Sequence, residues 1–148
     1  MRRIIAQVPG ALSDNLCWLL SRASHSLSAE LGEAFGSVGL SPREHMVLSE
    51  AARGEHSQIE LARAVGLDKT TMVATVDALE RAGLAERRAS PSDRRTRVIG
   101  VTAEGRRRLR EAEAIADRVR ADVLETLAPD EREAFVRALT RLVGERLN

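Results

Sequence analysis

The stretch that decides the fold is Ser57–Thr102, SQIELARAVGLDKTTMVATVDALERAGLAERRASPSDRRTRVIGVT. Ser57 followed by Glu60 has the spacing of a capping box, so a helix is predicted to start there. Leu61, Ala62 and Val65 continue it, and Gly66 suits its C-terminal cap. Asp68 can cap a second helix, in which Met72, Val76 and Leu79 form a buried stripe with Thr75 at its edge; Gly83 ends it. Gly66-Leu67 separates the helices, so they are not collinear. Gly66 tolerates the positive φ such a turn needs, and Ala62 is small enough for a close crossing. Leu84–Arg88 and Arg97–Val101 then read as short extended runs around the turn residues Ser90-Pro91-Ser92-Asp93. Angled helices followed by an arginine-rich hairpin are the layout of a winged helix-turn-helix.

Upstream, Ser41-Pro42-Arg43-Glu44 combines a capping box with proline at the first helical position. The helix it opens carries Met46, Val47, Leu48 and Ala51 and is expected to stop at Gly54. Before it, Leu12, Leu16, Leu19, Leu20, Ala23, Leu27, Leu31, Ala34, Phe35 and Val38 recur at helical steps. They predict one helix over 12–38, about seven turns long, capped by Ser13 or Asp14 and ended at Gly36 and Gly39. That is too long to bury against a small domain, so its apolar stripe is expected to pack on a second chain. After the hairpin, Thr102 can cap a long helix carrying Leu109, Ala112, Ile115, Ala116, Val119, Val123, Leu124 and Leu127, which Pro129 is expected to break. Phe135, Leu139, Leu142 and Val143 give a last amphipathic helix. The expected class is mainly α with a small β-wing. Residues 1–40 form an N-terminal dimerisation helix, 41–102 the winged helix-turn-helix region and 103–148 the C-terminal dimerisation helices.

The 148 residues fit one domain with helical arms, and 43% hydrophobic content suffices for a core. Aromatics are 2%, namely Trp18, Phe35 and Phe135, so the core must be Leu, Val and Ala. A single cysteine excludes an intramolecular disulfide and fits a reducing cytoplasm. No apolar run approaches the roughly 20 residues of a membrane span. The opening MRRIIAQVPGALSDN has too short an apolar run for a secretory signal. The net charge of +1 hides an asymmetry: residues 81–110 hold ten arginines against Glu86, Asp93 and Glu104, so the rest of the chain is net acidic. A basic block on an otherwise acidic body suits a polyanion-binding face. Lys69 is the only lysine, so the base composition of the gene accounts in part for Arg over Lys, but not for the clustering.

Five segments in order carry a family resemblance. They are Gln58-x-x-Leu61-Ala62, Gly66-Leu67-Asp68-Lys69-Thr70-Thr71, Asp77-x-Leu79-Glu80-x-x-Gly83-Leu84, Asp93-Arg94-Arg95 and Val101-Thr102-x-x-Gly105. Each is weak alone; with these gaps they are specific. The chain resembles the MarR family of bacterial transcriptional regulators over nearly its whole length. The resemblance implies a homodimer of winged helix-turn-helix lobes joined by N- and C-terminal helices. It further implies a cytoplasmic repressor of double-stranded DNA at a pseudo-palindromic operator, released by a small molecule or by oxidation. No cofactor is implied.

On the second helix, burial of Met72, Val76 and Leu79 leaves Lys69, Thr70, Thr71, Val73, Ala74 and Asp77 outside. Its N-terminal part faces DNA in this motif, so Lys69, Thr70, Thr71, Val73 and Ala74 are the reading candidates; hydroxyls reach phosphates or base edges, and Val or Ala a thymine methyl. Family members often carry a longer, basic side chain near position 74, which shifts weight here to the wing. Ser57 and Gln58 can hold a phosphate at the preceding helix start. By the family match Arg95 enters the minor groove, Asp93 orients an arginine through a salt bridge, and Arg87, Arg88, Arg94 and Arg97 contact the backbone. The alternatives are an ordinary solvated helix face for Lys69, Thr70, Thr71, Val73 and Ala74, capping alone for Ser57 and Gln58, and a solvated charged hairpin for the wing residues.

Effectors in the family bind between the dimer helices and the DNA-reading lobe, which makes Trp18, His25, His45, Met46 and Ser49 candidates. The alternative for Trp18 is core or dimer packing. Cys17, in Leu16-Cys17-Trp18-Leu19-Leu20, looks like the first helix of OhrR, the peroxide-sensing branch, where tyrosines hydrogen-bond the reactive sulfur. This chain has no Tyr, and the alternative is a buried structural thiol. His25, His45 and His56 lie on separate segments without a close ligand pair, so no metal site is expected. Nor is there a Gly-rich phosphate loop, an HExxH or a nucleophile elbow, so no catalytic residue is expected. A non-specific architectural DNA binder is the remaining rival.

Overall fold

The computed structural model describes residues 8–145. The first residues of the segment tested above for a secretory signal, and the ends of the two flanking divisions, lie outside them. The order is α1 (Leu16–Ala34), α2 (Pro42–Ala51), α3 (Gln58–Val65), α4 (Lys69–Arg81), β1 (Ala85–Ala89), β2 (Arg97–Val101), α5 (Ala103–Leu124) and α6 (Pro129–Glu145). Short 3₁₀ turns at Gly10–Leu12 and Phe35–Val38 flank α1. The class is the expected one, mainly α with a small antiparallel β-wing.

Both capping boxes form. Ser41 accepts from the Glu44 N–H (3.2 Å) while the Glu44 carboxylate accepts from the Ser41 N–H (2.7 Å). Ser57 and Glu60 repeat this at 3.3 and 2.7 Å. Asp68 caps α4 by accepting from the Thr71 N–H at 2.9 Å. Gly66, at φ 71°, closes α3 and turns the chain into α4, a left-handed conformation that disfavours a side chain. Leu61 of α3 and Met72, Val76 and Leu79 of α4 are fully buried with Phe35, Val47 and Leu48. Leu84, Ile99, Leu109 and Ala112 complete this core, which holds the wing and the start of α5 against the helix pair.

Several boundaries differ from the sequence reading. The single helix over 12–38 is a shorter α1 between 3₁₀ turns, because Asn15 rather than Ser13 or Asp14 is the cap: its side chain accepts from the Trp18 N–H at 2.9 Å. Ser13 instead donates to the Gly10 carbonyl. α2 ends at Ala51, before Gly54. Thr75 is buried rather than at an edge; its hydroxyl donates to the Thr71 carbonyl, which removes the cost of burial. β1 begins at Ala85, one residue after Leu84. α5 ends at Leu124, and Pro129 begins α6 rather than breaking α5. Proline lacks the N–H that a first helical residue would leave unpaired, so it suits that position.

The sheet pairs Ala85 with Val101 and Ala89 with Arg97. β2 also donates from the Ile99 N–H to the His56 carbonyl (2.9 Å), which ties the wing to the loop before α3. The sequence reading had not anticipated this. At the other end of β2, the Thr102 hydroxyl donates to the Gly83 carbonyl and its N–H to the Leu84 carbonyl. Gly105 packs so closely there that a Cβ would lie 2.0 Å from the Leu84 carbonyl oxygen. α5 therefore starts rigidly from the base of the wing.

Candidate nucleic-acid interface

The surface is built on α4 and the wing. Lys69, Thr70 and Ala74 are exposed on the first turns of α4, while Thr71 and Val73 are half-buried. The Thr71 hydroxyl donates to the Asp68 carboxylate at 2.6 Å, so its proton is engaged inside the cap and only its lone pairs face outward. The same contacts, first from the Thr71 hydroxyl and then from its N–H, hold the Asp68 carboxyl below its ordinary value. Ser57 is occupied by its capping box, which likewise holds Glu60 below the usual range through the Ser57 N–H and hydroxyl.

The wing tip is a closed hydrogen-bonded loop. The Ser90 N–H donates to the Thr96 carbonyl and the Thr96 N–H to the Asp93 carbonyl. The Asp93 carboxylate accepts from the Arg95 N–H (3.0 Å) and the Thr96 hydroxyl (2.9 Å). These bonds, the Arg95 N–H first, lower the Asp93 pKa. Asp93 therefore braces the turn through the backbone of Arg95; the expected salt bridge to an arginine is not among its contacts. A carboxylate two residues before an N–H closes an Asx-type turn, which is the shorter-range solution. The consequence for Arg95 is that its backbone is fixed and its side chain is free. The guanidinium groups of Arg94, Arg95 and Arg97 are exposed and have no side-chain partner among the described residues. Arg88 is exposed and reaches Glu86 only at 4.0 Å.

Two features lay outside the sequence reading. Glu55, in the loop before α3, accepts from Ser90 (2.5 Å) and Ser92 (2.7 Å), tying the wing to the helix-turn-helix. The Ser90 and then the Ser92 hydroxyl hold its carboxyl below the usual range. The separation of 35 residues to Ser90 leaves no local pattern to detect. Arg87, expected on the DNA backbone, is half-buried and held by protein partners instead. It bonds Gln58 (3.0 and 3.2 Å) and Asp77 (2.8 Å) and pairs with Glu80. Partial burial opposes its charge, but the Asp77 and Glu80 carboxylates prevail and raise its pKa above the ordinary arginine value. The local sign of this clamp was the Asp77/Glu80 pair at i, i+3 on α4.

The effector candidates fall into separate places. His45, Met46 and Ser49 line an open recess of about 630 Å³ with Arg53, Val65 and Glu113. His25 lines an adjoining one of about 680 Å³ with Ser28, Leu31, Arg43 and again Met46. Trp18 is not core; it sits on the N-terminal part of α1 beside Leu19, Arg22 and Pro9 and joins neither recess. Cys17 is exposed, not a buried structural thiol. Both lie on the first turn of α1, far along that helix from where it meets α2, which explains the separation. His45 packs against the Phe35 ring (centroids 4.9 Å apart) and lies 3.5 Å from the Ser49 hydroxyl. Burial lowers its pKa, with Glu113 opposing, which favours the neutral ring.

Among the described residues no helix is long and apolar enough to cross a membrane. The sequence profile of the MarR family matches residues 38–96. CouR from Rhodococcus jostii RHA1, solved with p-coumaroyl-CoA, is 33% identical over 93% of this chain and 97% of its own, with a TM-score of 0.81. A MarR-family transcriptional regulator from Rhodococcus sp. RHA1 is 31% identical over 93% and 99%, with a TM-score of 0.80. CouR, described as a transcriptional repressor, has also been solved on a 23-mer DNA duplex; that chain is 31% identical over 93% and 99%, with a TM-score of 0.81. Identity at this level, over lobe and flanking helices alike, leaves one assignment: the chain belongs to the MarR family of winged helix-turn-helix transcriptional regulators.

Proposed function

We propose that the protein is a repressor that binds a pseudo-palindromic operator in double-stranded DNA as a homodimer and is released by a small-molecule effector. The observation that carries the reading is the wing: Arg94, Arg95 and Arg97 are exposed, and unpaired among the described residues, on a braced hairpin beside the exposed start of α4. Free guanidinium groups on a rigid loop suit a minor groove and its phosphates. Lys69, Thr70, Thr71, Val73 and Ala74 would face the major groove, and Arg88, Arg94 and Arg97 the backbone. CouR, which binds a DNA duplex and p-coumaroyl-CoA, supports both halves of the reading.

The homodimer rests on the arms. No residue of α1 or α6 is buried, although both are amphipathic, and Leu16, Phe135 and Val143 are 58%, 50% and 52% exposed. Residues 1–40 and 103–148 are thus assigned to dimerisation and 41–102 to DNA. The recesses sharing Met46 are the proposed effector site, since one lies between α1 and α2 and the other between α2, α3 and α5. Footprinting on the DNA flanking the gene tests the function. A short protected pseudo-palindrome is expected; protection without a discrete site would make the protein an architectural binder instead.

The exposure of Cys17 favours a second reading, a redox switch. If hydroperoxide releases DNA from the natural protein but not from Cys17→Ser, the thiol is the switch. Equal responses would remove it.

A further inference from the structure

Arg87 is the one wing arginine that is half-buried, and its donors are nearly all engaged. Nε and one Nη reach the Gln58 side-chain oxygen at 3.2 and 3.0 Å, one Nη reaches Asp77 at 2.8 Å, and the other pairs with Glu80. The Arg87 N–H also donates to Glu80, at 2.7 Å. One side chain thus joins the start of α3, the solvent edge of α4 and the first strand of the wing. Two carboxylates already compensate its charge, so a phosphate arriving there would meet a locally negative group.

The effect on Gln58 follows from donor chemistry. A guanidinium has no acceptor, so it must face the amide oxygen of Gln58 and not its NH₂. The NH₂ then points away from the clamp. It has no partner among the described residues, and none of their buried side-chain polar atoms is unpaired, so this NH₂ reaches solvent. It emerges at the N-terminus of α3, next to the free backbone N–H groups of that turn.

We infer that Arg87 is a positioning residue of the DNA-reading surface: it turns the Gln58 NH₂ outward as a phosphate donor and sets the wing against α4, without itself touching DNA. This rests on the DNA-binding reading above. Lysine at position 87 keeps the charge, and so would keep a phosphate contact, but it cannot bridge Gln58, Asp77 and Glu80 together.

The test measures anisotropy of a labelled duplex, taken from the protein's own footprint, across a salt series for wild type, Arg87→Lys, Gln58→Met and the double variant. Arg87→Lys is expected to weaken binding about tenfold at every salt concentration. The slope of log affinity on log salt should stay that of wild type, because no charged phosphate contact is lost. A phosphate-contacting arginine removed outright changes that slope by roughly 0.9, and Arg94→Ala serves as that control. Gln58→Met should weaken binding with the slope unchanged, and the double variant should bind no worse than Arg87→Lys. Retained affinity in Arg87→Lys, or additive losses in the double variant, overturns the inference. If Arg87→Lys does not fold, Gln58→Met decides alone, and unchanged affinity overturns it. Absence of any footprint for wild type would instead defeat the DNA-binding reading, a distinguishable result.

Discussion

Arg95 shows how a side chain is made available by constraining its own backbone. Asp93 holds the Arg95 N–H, the Thr96 N–H closes the turn, and the guanidinium is left without a partner among the described residues. Arg95→Ala is therefore expected to weaken operator binding strongly while leaving the dimer intact, and Arg94→Ala, at a backbone contact, to flatten the salt slope by roughly 0.9. Anisotropy at fixed and varied salt, with sedimentation for the dimer, measures both. Gly105 is the opposite kind of residue, defined by what it lacks. A Cβ there would overlap the Leu84 carbonyl, a backbone atom that cannot move without shifting the wing. Gly105→Ala should cost about 3 kcal/mol, the upper end for overpacking, seen as a lower urea midpoint at unchanged slope.

At the scale of elements, the wing depends on an anchor distant in sequence. A two-stranded hairpin is marginal alone, and this one is held by the His56 carbonyl at Ile99, by Thr102 at Gly83 and by Glu55 at Ser90 and Ser92. The two hydroxyl bonds are stronger to the ionised carboxylate of Glu55, and they depress its pKa. A depressed folded-state pKa means that the anchor contributes fully above the ordinary value of 4.5 and is lost as pH falls through the lowered one. At neutral pH the anchor is intact. Glu55→Ala is expected to leave the melting temperature nearly unchanged, since the group is exposed, but to speed amide exchange across 90–96 and weaken DNA binding. Unchanged exchange there would remove Glu55 as an anchor.

For the whole molecule, the division is between a well-buried lobe and the helices α1 and α6, neither of which has a buried residue. α1 and α6 present apolar faces that include Leu16, Leu27, Phe135 and Val143. If these faces meet across a two-fold axis, stability is linked to protein concentration. The melting temperature should rise on concentrating the protein, and Phe135→Asp should abolish that dependence and give a monomer in sedimentation. A concentration-independent transition from a monomeric natural protein would refute the dimer.

Local chemistry by itself determined the helix-turn-helix and where its parts begin. Capping boxes at Ser41 and Ser57, the Asp68 cap, the Gly66 turn and the Met72–Val76–Leu79 stripe act within a few residues, so their signals are written contiguously. The basic wing was legible for the same reason. Where competing local caps were available, as among Ser13, Asp14 and Asn15, the pattern did not choose among them, and Pro129 could be read as a stop or as a start. Only the tertiary structure decided which arginines are free. Arg87 and Arg95 are both wing arginines in sequence, yet α4 brings Asp77 and Glu80 to Arg87 and nothing to the tip. It likewise placed Glu55 under Ser90, and it separated Cys17 and Trp18 from the recess at His45. These relations join residues far apart in the chain, and the contacts that set them are made by packing, which no local periodicity records.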